Sequence, residues 1–200
     1  MKHVILILAI SAIANFSFGQ TVQSAAFSES YQFEYNKDYS KAISSIDNVY
    51  DANSYIINIR LGWLNYLNGD YLKSQAYYKT AIKLEPSSIE ARLGYAYPLS
   101  ALNNWEDVIT IYNQILSIAP NNYIVNYRMS LIYFNRKDFE KSITYAQKII
   151  SQYPFDYDLN LLLGKINIGL GKIDTAKSVL NRALLYNPSS TEVIELIKTL

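Results

Sequence analysis

Few of the side chains that perform chemistry are present in this chain. It has no cysteine and a single histidine, His3. Thiolate nucleophiles are therefore absent, and a zinc site of nitrogen and sulfur ligands has no donor set. The seven glycines are scattered, so no glycine-rich phosphate loop exists. Paired carboxylates remain a route to acid–base work. The acidic residues, however, fall mostly at turns and helix starts, as Asp70, Asp138 and Asp156 do, where carboxylates satisfy backbone amides. These absences predict a non-enzymatic chain without metal or cofactor. Tyrosine, by contrast, is abundant at 19 of 200 residues. Tyrosine and tryptophan are frequent anchors of protein interfaces, so the chemistry to expect is recognition.

The beginning of the chain reads as a secretory signal. Met1-Lys2-His3 is a short basic start, and Val4 to Ala14 is an apolar run of 11 residues. Such a run is too short to span a bilayer, which takes roughly 20 residues. Ser17 and Gly19 supply small residues for cleavage between Gly19 and Gln20. No later segment has spanning length, so the expectation is an exported chain, periplasmic or extracellular, with no integral membrane span after cleavage. Retention of the segment as an anchor is the alternative. Removing residues 1–19 leaves 17 basic and 17 acidic residues. A chain near neutrality is a poor ligand for nucleic acid, whose binding rests largely on phosphate neutralisation.

The elements that must position the aromatic residues are set by four prolines. Pro86, Pro120, Pro154 and Pro188 are each 34 residues apart. A fixed period of this size marks a repeat array, in which each unit packs on its neighbours. Ser88, Asn122, Asp156 and Ser190 each follow a proline by two residues and can cap the next helix. A second break recurs inside each unit, at Asn68-Gly69-Asp70, Leu102-Asn103-Asn104, Arg136-Lys137-Asp138 and Leu170-Gly171-Lys172. Each unit is thus expected to be two helices of about 13 residues joined by a tight turn. The eighth position holds Gly62, Ala96, Ser130 and Gly164, always small, and the twentieth holds Ser74, Val108, Ser142 and Ala176. These let the two helices approach, while Tyr71, Trp105, Phe139 and Ile173 at the seventeenth and Tyr78 and Tyr112 at the twenty-fourth are expected to fill the space beside them.

With its units in register, the chain resembles the tetratricopeptide repeat family. Leu61-Gly62, Tyr78, Ala81 and Pro86 match the family pattern, as do Leu163-Gly164, Ala176, Ala183 and Pro188. The fourth position departs from it: Asn58, Arg92, Asn126 and Asn160 stand where the family has tryptophan. The resemblance implies an all-α fold, a right-handed superhelical solenoid of stacked helix-turn-helix hairpins. Residues 1–19 are then the signal peptide and 20–200 the array. It comprises a degenerate repeat at 22–54, repeats at 55–88, 89–122, 123–156 and 157–190, and a capping helix at 191–200. Ile194 and Ile197 are expected to cover the last hairpin, with Lys198 facing water. Pro98, inside a first helix, should remove one amide and bend that helix.

The family also implies where a partner would bind. Its first helices line a concave face, with positions 2, 5, 9 and 12 toward the ligand. Here those positions include Ile59, Trp63, Tyr66, Leu93, Tyr97, Tyr127, Leu131 and Phe134, an aromatic-lined groove. Phe27, Tyr31 and Glu34 are the nearest equivalents in the degenerate repeat. The lysine, asparagine and arginine residues of the family's carboxylate clamp for acidic chaperone tails are missing at these places. The function implied is a non-catalytic scaffold of the bacterial cell envelope, binding a protein or peptide partner. The alternatives are a structural protein acting by self-association as a homo-oligomer, and an accessory factor in glycan processing or outer-membrane assembly.

Overall fold

The computed structural model describes residues 21–200. The predicted signal peptide and its cleavage site lie outside the described residues. Eleven helical segments and no strand occur among the described residues. The first, α1, covers residues 21–35. It is followed by α2 (Tyr39–Asp47), α3 (Tyr55–Leu67), α4 (Tyr71–Leu84), α5 (Ile89–Ala101), α6 (Trp105–Ile118), α7 (Tyr123–Asn135), α8 (Phe139–Ile150), α9 (Tyr157–Gly169), α10 (Ile173–Tyr186) and α11 (Thr191–Lys198). No described helix is long and apolar enough to cross a membrane. The residues form two compact units, one ending at Ile111 and the other running from Tyr112 to Leu200.

Helix starts follow local chemistry. The side chains of Ser88, Asn122, Asp156 and Ser190 accept hydrogen bonds from the amides of Ala91, Val125, Leu159 and Val193. Each satisfies one of the free donors of a first turn, worth about 1 kcal/mol. Asp38 and Asp138 cap α2 and α8 in the same way, through the amides of Lys41 and Lys141.

The turn inside each hairpin is a recurring left-handed cap. Lys37, Gly69, Asn103, Lys137 and Gly171 all have φ between 57° and 83°. Around Gly69, the Asp70 amide reaches back to the Asn65 carbonyl and the Gly69 amide to that of Tyr66. This is the double closure that ends a helix while reversing the chain.

In the first unit, α3 packs on α2, α4 and α5. Ala42, Ile46, Ile57, Leu61 and Leu64 are fully buried there, with Phe27, Phe33 and Tyr77 against them. In the second unit, Ile143, Ala146 and Ile149 of α8 meet Leu159, Leu162, Leu163 and Ile166 of α9. Val193 of α11 is buried against Leu161, Leu180 and Ala183, with Leu196, Ile197 and Leu200 beside them. Val193 therefore makes the central contact, and Ile194 is only half-buried, because the third residue of α11 is the one that faces α9 and α10. Lys198 faces water, paired with Glu195 at 2.8 Å.

Small residues do bring the paired helices together, and they bond across the gap. Ser74 Oγ donates to the Gly62 carbonyl at 2.7 Å. Ser130 Oγ donates to the Ser142 carbonyl, and Ser142 Oγ to the Ser130 carbonyl. The seventeenth-position residues do not all fill the interior as expected. Trp105 and Ile173 are exposed, and Tyr71 and Phe139 are half-buried. As first residues of a helix, they lean back over the turn toward position 12. Only there do Tyr71 and Phe139 find an aromatic partner, in Tyr66 and Phe134. Pro98 is buried, and α5 continues through it to Ala101.

Candidate partner-binding site

The side chains predicted to face a partner stand on the first helix of each hairpin, and in three hairpins that helix is pinned by asparagine. Asn58, Asn126 and Asn160 are fully buried at the fourth position. Each amide nitrogen donates to two carbonyls: Ala52 and Ser54, Pro120 and Asn122, or Pro154 and Asp156. An amide nitrogen carries two hydrogens and so can face two carbonyl oxygens at once. The asparagine therefore ties the loop that closes one hairpin to the helix that opens the next. Where Pro86, Pro120 and Pro154 end a hairpin by steric means, Ala52 stands in the degenerate repeat, and Asn58 binds its carbonyl all the same.

A second tie is made by tyrosine at the first position. Tyr55 and Ser88 hydroxyls lie 2.6 Å apart, as do those of Tyr157 and Ser190. Tyr123 bonds Asp156 in the equivalent place; its phenol pKa is raised by burial first and then by that carboxylate. The residue that caps one helix is thus held by the first residue of the preceding hairpin.

In the first unit these ties set α1, α3 and α5 around a cavity of about 780 Å³. Ile59, Trp63, Leu93 and Tyr97 all line it, and so do Phe27, Tyr31 and Glu34 of α1. Tyr66 stands behind the wall: the rings of Trp63, Tyr66 and Tyr97 lie 5.4–5.8 Å from one another. The remaining predicted residues belong to the second unit. There Tyr127, Leu131 and Phe134 lie half-buried against the α8–α9 core. Tyr127 stacks parallel to Tyr123 at 5.9 Å, and Phe134 meets Phe139 at 5.7 Å.

The cavity has a polar side. Arg60 is buried, with Nε and Nη2 donating to Ser30 Oγ and Nη1 to Glu34 Oε2. Its guanidinium lies 3.9 Å from the Tyr31 ring centre, a cation–π geometry. Trp63 Nε1 donates to the other Glu34 oxygen at 2.7 Å. Both charges are thereby consumed inside the wall, and Trp63 is fixed in orientation. At the mouth, the Tyr55 hydroxyl donates to Glu90 Oε2 at 3.1 Å. Burial raises the Tyr55 phenol pKa, and Glu90 pushes it further up.

The floor is Tyr78 of α4. Its ring slots between Gly62 and Gly94, where a Cβ would lie 3.0 Å and 2.1 Å from ring atoms. At Gly94 there is therefore no room for a side chain beside this ring, and at Gly62 the fit would be tight. Arg60, Tyr55, Tyr78 and Gly94 escaped the positional rule because they lie outside positions 2, 5, 9 and 12. The legible signal was the second small residue, Gly94, on the helix after Gly62: two gaps opposite one tyrosine. Among the described residues no group of histidine, aspartate and glutamate side chains could hold a metal ion.

Comparison with known proteins agrees with the fold. Tetratricopeptide repeat models match residues 65–126, 125–156 and 157–190. The BBSome complex member BBS4 of Xenopus tropicalis is 26% identical over 132 residues, which are 64% of this chain and 25% of that protein. Superkiller protein 3 of Schizosaccharomyces pombe is 25% identical over 138 residues, 66% of this chain and 10% of that protein. The chain spans a quarter or less of the length of these curated relatives. Among solved structures, a tetratricopeptide repeat protein from Parabacteroides merdae superposes with a TM-score of 0.75 at 17% identity, covering 88% of this chain and 71% of that one. MamA from Desulfovibrio magneticus superposes with a TM-score of 0.71 at 17% identity, covering 85% and 97%. These structural likenesses are of fold. Repeat models of one description thus cover residues 65–190 without a break, and the chain belongs to the tetratricopeptide repeat family.

Proposed function

We propose that this protein is a non-catalytic scaffold of the cell envelope that binds a protein or peptide partner through the aromatic face of its first helices. The observation that supports this reading is the cavity on α1, α3 and α5, whose walls are Trp63, Tyr97, Ile59 and Leu93. Anchoring side chains in such a pocket typically contribute ~2 kcal/mol or more each. On this reading Tyr66 buttresses the wall, and Tyr127, Leu131 and Phe134 extend recognition on the second unit. Envelope location follows from the signal read in residues 1–19. The N-terminal sequence of the exported protein is expected to begin at Gln20; a retained Met1 would favour an anchor.

The binding reading is tested by recovering partners from envelope extracts with the wild-type chain, with Ile56→Arg and with Trp63→Ala. Ile56 lines the cavity yet is exposed, so a charge there should spare folding while repelling an apolar anchor. Loss of the recovered partner in both variants is expected. Unchanged recovery by folded variants would sink the proposal.

A further inference from the structure

The cavity of the first unit contains two polar groups that the protein leaves unmet, and together they describe a ligand. The first is the Tyr78 hydroxyl. Tyr78 is 97% buried and lines the cavity from below. Its hydroxyl has no hydrogen bond among the described residues, and its oxygen is not one of the fully enclosed polar atoms, so it opens onto the cavity. The Tyr78 ring presents Cε1 and Cζ to Gly94 and its opposite edge to Gly62, so the ring passes between α3 and α5. Burial raises the phenol pKa, and Tyr97, Glu90, Tyr66 and Tyr55 raise it further.

The second group is Glu90. It is exposed at the mouth, and Oε2 accepts from Tyr55, while Oε1 has no partner in the protein. No cation pairs with it. Arg60, the one cationic residue of the lining, is spent on Glu34 and Ser30. The free charge of the cavity is therefore a single negative one, above a neutral oxygen acceptor. Between them lie Ile59 and Leu93 and the rings of Trp63 and Tyr97.

The geometry points to a lysine subsite: a lysine side chain of the partner polypeptide enters this cavity, its stem along Ile59 and Leu93 and its ammonium shared by Tyr78 and Glu90. An ammonium is compact and needs few acceptors, whereas a guanidinium brings five donors to a site that offers two oxygens. The aromatic rings add a favourable face for a cation. This inference deepens the proposed function and rests on it, since it names what the partner presents to the same face.

The test is selection of a random dodecapeptide phage library against the whole chain. Lysine next to an aliphatic or aromatic residue should be enriched over its library frequency. The enrichment should vanish with Glu90→Gln and turn to acidic residues with Glu90→Lys. Peptides enriched without lysine preference would overturn the lysine subsite and leave partner binding standing; failure to select any peptide would overturn both. Tyr78→Phe separates the hydroxyl from the fold. Because the hydroxyl has no internal partner, the variant should melt no lower than wild type. It should bind the selected lysine peptide about tenfold more weakly, the usual worth of a hydrogen bond to a charged group. Unchanged affinity, or a lower melting temperature, would overturn the role given to Tyr78.

Discussion

At the scale of single residues, the site depends on what is missing from two helices. Tyr78 reaches the cavity through the space that Gly62 and, above all, Gly94 leave open. The two glycines are not equivalent. A Cβ on Gly94 would sit 2.1–2.8 Å from three ring atoms of Tyr78, whereas one on Gly62 would sit 3.0 Å away. Alanine in a helix interior gains about 1 kcal/mol over glycine, and overpacking costs about 1–3 kcal/mol. Gly94→Ala is therefore expected to destabilise the protein by about 2 kcal/mol and to displace Tyr78. Gly62→Ala should stay within about 1 kcal/mol of wild type. Urea unfolding of the two variants side by side checks the order. The turns make the opposite prediction. Lys137 is exposed and holds φ at 60°, a conformation that costs an L-residue roughly 1–2 kcal/mol. Lys137→Gly should raise stability by about 0.5–1 kcal/mol once the greater freedom of glycine in the unfolded chain is counted. A fall in the unfolding midpoint would contradict this.

At the scale of elements, the helices are strung together by side chains binding loop carbonyls. The buried asparagines at position 4 stand where related repeats have a tryptophan, and they replace packing by bonding. Each donates two hydrogen bonds and leaves its own oxygen without a partner. The orphaned oxygen offsets part of the gain, so Asn126→Ala should cost about 2 kcal/mol rather than the full worth of two bonds. Asn126→Asp should be worse than alanine, because a carboxylate would face the carbonyls of Pro120 and Asn122 with no donor to offer. Calorimetric melting of the two variants decides between this account and one in which Asn126 merely fills space, which would rank aspartate above alanine.

At the scale of the whole molecule, buried phenols set a limit at high pH. Burial raises the pKa of Tyr78 and of Tyr123 well above the ordinary tyrosine value. A group whose pKa is higher in the folded chain adds stability that is fully present below its unfolded pKa, about 10. That stability is lost as the pH rises through the folded value. The protein is therefore expected to hold a constant urea midpoint from pH 7 to about 10 and to lose stability above it. Tyr78→Phe should lessen the alkaline loss. A midpoint that does not move between pH 9 and 11 would count against buried neutral phenols. The chain is near electrical balance, so partner binding should also depend only weakly on salt, with one ion pair at Glu90 as its main charged contact.

Much of this architecture was written in spacing. Prolines 34 residues apart, each followed by Ser88, Asn122, Asp156 or Ser190, determine where helices stop and start, because both effects act within one turn of chain. Small residues at positions 8 and 20 likewise announce close helix pairs. The predicted residues Ile59, Trp63, Leu93 and Tyr97 share a cavity in the first unit because they recur on one face of helices placed side by side. Other outcomes depend on neighbours far away in sequence. Trp105 is exposed and Tyr71 partly covered at the same position, according to whether Ser100 or Tyr66 lies across the turn. Val193, rather than Ile194, became the buried residue of α11. Whether Glu34 is a free charge or the partner of Arg60 and Trp63 depends on two helices meeting. The unmet oxygen of Tyr78 and the unpaired charge of Glu90 exist only once every other polar group around them has found its partner, and that is a property of the packed structure alone.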